Sequence, residues 1–299
     1  MIPSIKGIFG PVITTFDRRG ELDLDAFGAN LKAHIAAGLD GVLVAGSTGE
    51  AALLEESERL RLVEMARSVI PASRQLLVGT GAESTKACVR RCREAAERGA
   101  NACLVVAPHY YSNAMSTAAL QAHYERVADE SPVPILLYNI PKYMHFRLEP
   151  ELVARLAEHD NIIGMKDSSG DLETMAKYLL AQTPHFGIVT GHAGSWLKAI
   201  HMGVVGGIMA VALFAPELTQ EIARLAKAKQ EPEASEAQRR LTPLGMEIVG
   251  RMGIPAVKVA MQRVGLHGGP VRLPLLDLSP SDADLVAELL RESSVASVA

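Results

Sequence analysis

A chain of 299 residues that is 48% hydrophobic but only 4% aromatic has to bury a large aliphatic interior, which excludes disorder over most of its length. Thirty basic residues stand against 34 acidic ones, for a formal charge of −4, and no run of Lys and Arg is interleaved with aromatics, so nucleic acid is excluded as the expected partner. Residues 1–16 carry a single lysine and no apolar run ending in small residues, no stretch is apolar for the ~20 residues a membrane span needs, and Cys88, Cys92 and Cys103 are odd in number; a reducing, cytoplasmic setting without membrane contact is expected.

The predicted elements alternate from the start. Strands are expected over 8–15, 41–45, 76–80, 102–107, 134–138, 162–166, 187–190 and 206–211, and helices between them over 24–37, 57–70, 84–98, 117–130, 149–158, 172–181 and 195–202. Most of the strand runs are uniformly apolar, as in a parallel sheet covered on both faces. Eight such units predict closure into a (β/α)₈ barrel, and no Gly-x-Gly-x-x-Gly turn after the first strand points to an open doubly wound sheet. Beyond 211 the alternation stops, and helices are expected over 216–229, 233–252 with a break near Pro243, 255–264 and 281–291. The expected organisation is a barrel over 1–215 carrying the active site and a C-terminal helical extension over 216–299, whose small, polar tail from Glu292 to Ala299 is expected to fray.

Barrel enzymes place their chemistry at the C-terminal ends of the strands, so polar residues closing an apolar run carry weight. The second strand ends in Gly46-Ser47-Thr48-Gly49-Glu50, the fifth in Tyr138-Asn139-Ile140-Pro141 and the sixth in Gly164-Met165-Lys166-Asp167-Ser168-Ser169. Tyr138 and Lys166 are thereby expected side by side at one height. A lysine at such a place can serve as a Schiff-base nucleophile if its amine is neutral, and lowering its pKa from about 10.4 to about 7 represents roughly 4.6 kcal/mol at about 1.36 kcal/mol per unit. The ordinary alternative is an ion pair with Asp167 or Glu50, and strand position alone leaves the two open. The small residues of 46–50 suit a carboxylate held by main-chain N–H groups and hydroxyls, or simply a tight turn with a capping hydroxyl. Tyr138 can relay protons or merely fill the barrel, and Tyr110-Tyr111, after the fourth strand, can stack into a pocket or an interface.

Together these residues resemble the dihydrodipicolinate synthase and N-acetylneuraminate lyase superfamily of class I pyruvate aldolases. The likeness rests on Gly46-Ser47-Thr48-Gly49-Glu50, Pro108-His109-Tyr110-Tyr111, Tyr138-Asn139-Ile140-Pro141 and Gly164-Met165-Lys166-Asp167, in the family's order and over nearly the whole chain. By that resemblance Lys166 is the nucleophile and Tyr138 the proton shuttle. Ser47 and Thr48 bind the 2-oxo acid carboxylate, and Tyr111 crosses a dimer contact to complete a relay of Tyr138, Thr48 and Tyr111. Gly191 and Ile208 line the pyruvate pocket. The resemblance further implies pyruvate and an aldehyde as substrates, no cofactor beyond the covalent imine, no metal, and a homotetramer built as a dimer of dimers. His109, His192 and His267 are expected to line or cap rather than to ligate a metal.

Within the superfamily, synthases carry an arginine two residues after the Tyr-Asn-x-Pro proline, where this chain has Tyr143 preceded by Lys142. The segments 79–85, 166–171 and 268–274 resemble the 4-hydroxy-2-oxoglutarate aldolase branch, which implies cleavage of a 4-hydroxy-2-oxo acid with Lys142 and Tyr143 at its distal end. The alternatives are condensation of pyruvate with aspartate semialdehyde by a dihydrodipicolinate synthase, a sugar-acid aldolase acting on 2-keto-3-deoxygluconate or N-acetylneuraminate, and a non-catalytic barrel that binds 2-oxo acids.

Overall fold

A computed structural model describes residues 5–295, so positions 296–299 of the tail expected to fray lie outside the described residues. Eight parallel strands close into a barrel in sequence order: β1 Gly7–Pro11, β2 Gly41–Val44, β3 Gln75–Gly79, β4 Ala102–Val106, β5 Ile135–Asn139, β6 Ile162–Asp167, β7 Gly187–Thr190 and β8 Gly206–Ile208. Each falls on a predicted run. β1 and β8 are shorter than their apolar runs: β1 ends at Pro11, which has no N–H for the ladder, and β8 gives way to a tight 3₁₀ turn at Ala210–Leu213.

The ring outside consists of α1 Leu24–Ala36, α2 Glu56–Val69, α3 Thr85–Glu97, α4 Thr117–Glu130, the single turn α5 Pro141–Met144, α6 Pro150–Leu156, α7 Leu172–Leu179, α8 Trp196–Met202 and α9 Pro216–Lys227. Asp23, Ser84, Ser116 and Asp171 cap α1, α3, α4 and α7 through side-chain oxygens that accept from backbone N–H groups, which fixes where each helix starts. The helix α9 follows β8 on the outside of the barrel. Trp196 donates to the Thr219 carbonyl at 3.0 Å and Gln220 to the Ala37 carbonyl at 2.8 Å, which ties α9 to α8 on one side and to the end of α1 on the other.

Then come α10 Glu231–Pro243, a π-helical segment Leu244–Met252, α11 Ile254–Arg263 and α12 Pro280–Glu292. The predicted break near Pro243 is a change of helix type. Proline removes a backbone donor and crowds the preceding turn, and the chain continues directly into the wider π geometry. α5 was not expected from the sequence, because four residues hold no hydrophobic period; Pro141 starts it and His145, left-handed at φ 63°, stops it.

One apolar cluster runs from Ile5 in the barrel to Leu290 in α12, taking in Leu218, Leu241, Ile248 and Val257. Cys88, Cys92 and Cys103 are buried free thiols within it. Among the described residues no helix is long and apolar enough to cross a membrane.

Candidate active site

At the C-terminal mouth of the barrel lies a cavity of about 170 Å³ with Lys166 in its wall. The register between β5 and β6 puts Tyr138 beside Lys166, and it does so through an irregularity. Ile135 pairs with Ile162, but Leu136 pairs with Gly164, so β6 carries one extra residue. Without that bulge Tyr138 would face Met165, whose side chain points the other way.

Lys166 is 5% exposed, and burial alone pulls its pKa from 10.5 down to about 7. Its Nζ sits 4.5 Å from the centroid of the Tyr138 ring. Neither carboxylate considered as a partner reaches it. Asp167, next on the strand, points out of the barrel interior, where Asn139 donates to its Oδ1 at 2.7 Å and the Ser169 hydroxyl to its Oδ2 at 2.8 Å. Glu50 is paired instead with Lys258 on α11. Among the described residues Lys166 therefore has no salt-bridge partner, and the ion-pair alternative is set aside.

The Tyr138 phenol is buried, which raises its pKa, while the Ser168 and Ser47 hydroxyls beside it act in the opposite direction. Ser47 and Thr48 line the cavity from a 3₁₀ turn, Ser47–Gly49, after β2. Non-glycine residues in left-handed backbone flank this turn, Ala45 at φ 52° and Glu50 at φ 56°, so it is held in a conformation that tertiary contacts must maintain. The Thr14 hydroxyl provides one such contact by donating to the Gly49 carbonyl at 2.6 Å.

Gly191 follows β7 directly and lies against the Lys166 side chain. A β-carbon there would sit 2.0 Å from Ser168 Oγ and 2.8 Å from Lys166 Cε, so only glycine leaves the lysine its place. Ile208 closes β8 with its side chain fully buried in the cavity floor. Lys142 and Tyr143, on α5, reach the rim. Lys142 Nζ donates to the Gly250 carbonyl at 2.9 Å, and Tyr143 is 41% exposed. Tyr111 is not part of the cavity of its own chain: it is 70% exposed and packs edge-on against Tyr110 at 5.0 Å.

Of the histidines, His192 lines the cavity and contacts the Ser195 hydroxyl through Nδ1 at 2.9 Å. His109 lies 3.3 Å from Glu83, and His267 exchanges backbone hydrogen bonds with the Asn30 amide. Among the described residues no three His, Cys, Asp or Glu side chains gather as a metal site.

The sequence reading missed the roof. Met246, Val249 and Gly250 from the π segment and Ile254 and Val257 from α11 all line the cavity, as does Ser168 at the end of β6. The readable signal was glycine: Gly245, Gly250 and Gly253 recur in a segment with helical periodicity, and a β-carbon on Gly245 would lie 2.7 Å from Ala193 Cβ, which the close approach of roof and barrel forbids.

Comparison with known proteins bears on this arrangement. The dihydrodipicolinate synthetase family model matches residues 4–293. A 4-hydroxy-tetrahydrodipicolinate synthase of Methanothrix thermoacetophila is 32% identical over 291 residues, covering 97% of each chain, and one of Stenotrophomonas maltophilia is 35% identical over 279 residues, covering 93% of each. The crystal structure of a chloride-inhibited dihydrodipicolinate synthase from Acinetobacter baumannii complexed with pyruvate superposes with a TM-score of 0.92 at 27% identity, over 98% of this chain and 100% of that one. With a match from end to end in both sequence and barrel, the chain belongs to the dihydrodipicolinate synthetase family, a family of lysine Schiff-base carbon–carbon lyases.

Proposed function

We propose that Lys166 forms an imine with pyruvate in this cavity and that the resulting enamine makes, or its reverse breaks, a carbon–carbon bond to an aldehyde. The observation that carries this reading is the unpaired, buried amine with its pKa near 7. At neutral pH about half of such amines are free to attack the pyruvate C2 carbonyl. Addition gives a carbinolamine, loss of water gives the iminium, and loss of a C3 proton gives the enamine, with the iminium as electron sink in place of a cofactor. Tyr138 lies against the amine and moves these protons. Ser47 and Thr48 hold the carboxylate: as the first residues of their turn, their N–H groups have no partner within it. Tyr111, exposed in one chain, completes the relay with Thr48 in the site of a second copy, in a homotetramer assembled from dimers.

For the aldehyde, the curated relatives' activity supports aspartate semialdehyde, which makes the chain a 4-hydroxy-tetrahydrodipicolinate synthase. One observation favours cleavage of a 4-hydroxy-2-oxo acid instead: Tyr143 stands where synthases carry an arginine, and the Lys142 ammonium is committed to the Gly250 carbonyl, so among the described residues lining the cavity there is no guanidinium for a second carboxylate. Borohydride reduction in the presence of pyruvate, followed by peptide mass analysis, tests the common step; the expected product is a reduced three-carbon acid on Lys166. Initial rates with pyruvate plus aspartate semialdehyde, set against pyruvate release from 4-hydroxy-2-oxoglutarate, separate the two readings by whichever has the larger kcat/KM.

A further inference from the structure

The cavity roof and the Ser47–Thr48 turn come from opposite ends of the chain, and one buried cluster joins them. Lys258 Nζ reaches Glu50 Oε1 at 2.5 Å, a charge contact off the line of a hydrogen bond, and donates to the Pro270 carbonyl at 2.6 Å. Both side chains are sealed from water, Glu50 at 0% and Lys258 at 2% exposure. The other Glu50 oxygen accepts from the Arg272 backbone N–H at 2.8 Å. The Arg272 guanidinium forks onto the Glu58 carboxylate at 2.5 and 2.6 Å and donates to the Leu53 carbonyl at 2.9 Å. Phe16 packs against both cations, its ring centroid 4.8 Å from Lys258 Nζ and 4.2 Å from Arg272 Cζ.

Two features make this more than a structural tie. Glu50 is the left-handed residue that ends the Ser47–Gly49 turn, so whatever holds its side chain fixes the turn's backbone. Lys258 follows Val257 directly, and Val257 with Ile254 on the preceding turn of α11 lines the cavity. One helix thus roofs the cavity and holds the turn below it. A buried charge pair of this kind has one low-energy geometry, because any displacement leaves a charge uncompensated in a dry interior.

We propose that Lys258 is a positioning residue for the 2-oxo acid: through Glu50 it sets Ser47 and Thr48 to bind the carboxylate and couples that turn to the roof formed by α11. The inference rests on the reading that pyruvate becomes an imine at Lys166 with its carboxylate at Ser47 and Thr48. Lys258 touches neither substrate nor Lys166, so its loss should weaken pyruvate binding more than it slows turnover at saturation.

The test is pyruvate titration of borohydride trapping at Lys166 and of steady-state turnover, in wild type, Lys258→Met and Lys258→Arg, with Leu290→Ala as a variant that loosens the same core away from the turn. Maximum trapping counts folded sites, which separates affinity from the amount of native protein. The expected result is a tenfold or greater rise in the pyruvate concentration for half-maximal trapping in Lys258→Met, a smaller rise in Lys258→Arg, kcat within about threefold in both, and wild-type pyruvate dependence in Leu290→Ala. If Lys258→Met does not fold, Lys258→Arg alone decides, because it keeps the charge but not the compact ammonium. An unchanged pyruvate dependence in the folded Lys258 variants, or an equal change in Leu290→Ala, overturns the inference. Failure of wild type itself to trap pyruvate at Lys166 overturns the underlying reading instead.

Discussion

The protein buries two lysines at the mouth of its barrel, and they differ in what surrounds them. Lys258 faces Glu50 and the Pro270 carbonyl; burial lowers its pKa, and the carboxylate pulls it back. Lys166 faces Tyr138, Ser168 and a cavity, with no carboxylate among the described residues to offset its desolvation, and falls to about 7. The sequence neighbours of the two lysines do not set this difference. Asp167 adjoins Lys166 in the chain but projects to the other face of β6, whereas Glu50 meets Lys258 from 208 positions away. On the proposed reading, a buried amine serves as a nucleophile where the fold withholds a counter-charge, and as a clamp where it supplies one.

Removing each amine should break this contrast in opposite directions. Lys166→Met is expected to abolish turnover and borohydride trapping altogether, a loss beyond roughly 10⁴-fold in a Schiff-base route. The same change should stabilise the protein. In the unfolded chain this lysine titrates near 10.5 and in the native state near 7, so the unfolded state binds the extra proton between those values and wild-type stability rises with pH across that window. The advantage of Lys166→Met, at most roughly 5 kcal/mol from about 1.36 kcal/mol per unit, should be full below pH 7 and fade toward pH 10.5, as read by denaturant melts. Lys258→Met should instead destabilise by about 3–5 kcal/mol, because it leaves Glu50 charged and unpaired in the interior. Melts in which both variants moved the same way would erase the distinction.

Smaller effects sharpen the Lys166 side. Tyr138→Phe keeps the ring against the amine but removes the transferable proton, and kcat should fall about 10²–10⁴-fold with the fold intact by circular dichroism. Gly191→Ala pushes a methyl onto Ser168 and Lys166; a displacement of this order should cost about 10² in kcat/KM, with the trapping rate reduced in parallel. The rate of imine formation in wild type should climb as pH rises through about 7, where Lys166 loses its proton. A flat profile there would return Lys166 to the class of ordinary barrel lysines.

Much of the fold was legible because uniformly apolar runs of five or so residues, separated by helical periods and capping residues, have few other solutions. The eight strands and the lysine closing the sixth could be read in this way. The curated relatives favour a synthase over the aldolase branch suggested by segments 79–85, 166–171 and 268–274, and those short motifs did not include the roof residues Met246, Val249 and Val257 that line the same cavity. Three features escaped. α5 is shorter than a helical period, the π segment follows from one proline whose consequence depends on how the chain packs afterwards, and the roof contacts join distant parts of the chain, Lys142 to Gly250 across 108 positions.

By itself the sequence determined the alternation of strands and helices and the residues standing at the strand ends, since both follow from local periodicity and from backbone rules that act over a few residues. Tertiary structure alone decided the one-residue bulge that brings Tyr138 level with Lys166, the assignment of Glu50 to Lys258, and the burial of Lys166 without a salt-bridge partner among the described residues. Register, charge pairing and exposure each depend on which distant atoms share a dry volume, and that is fixed only when the barrel closes and α11 settles over its mouth.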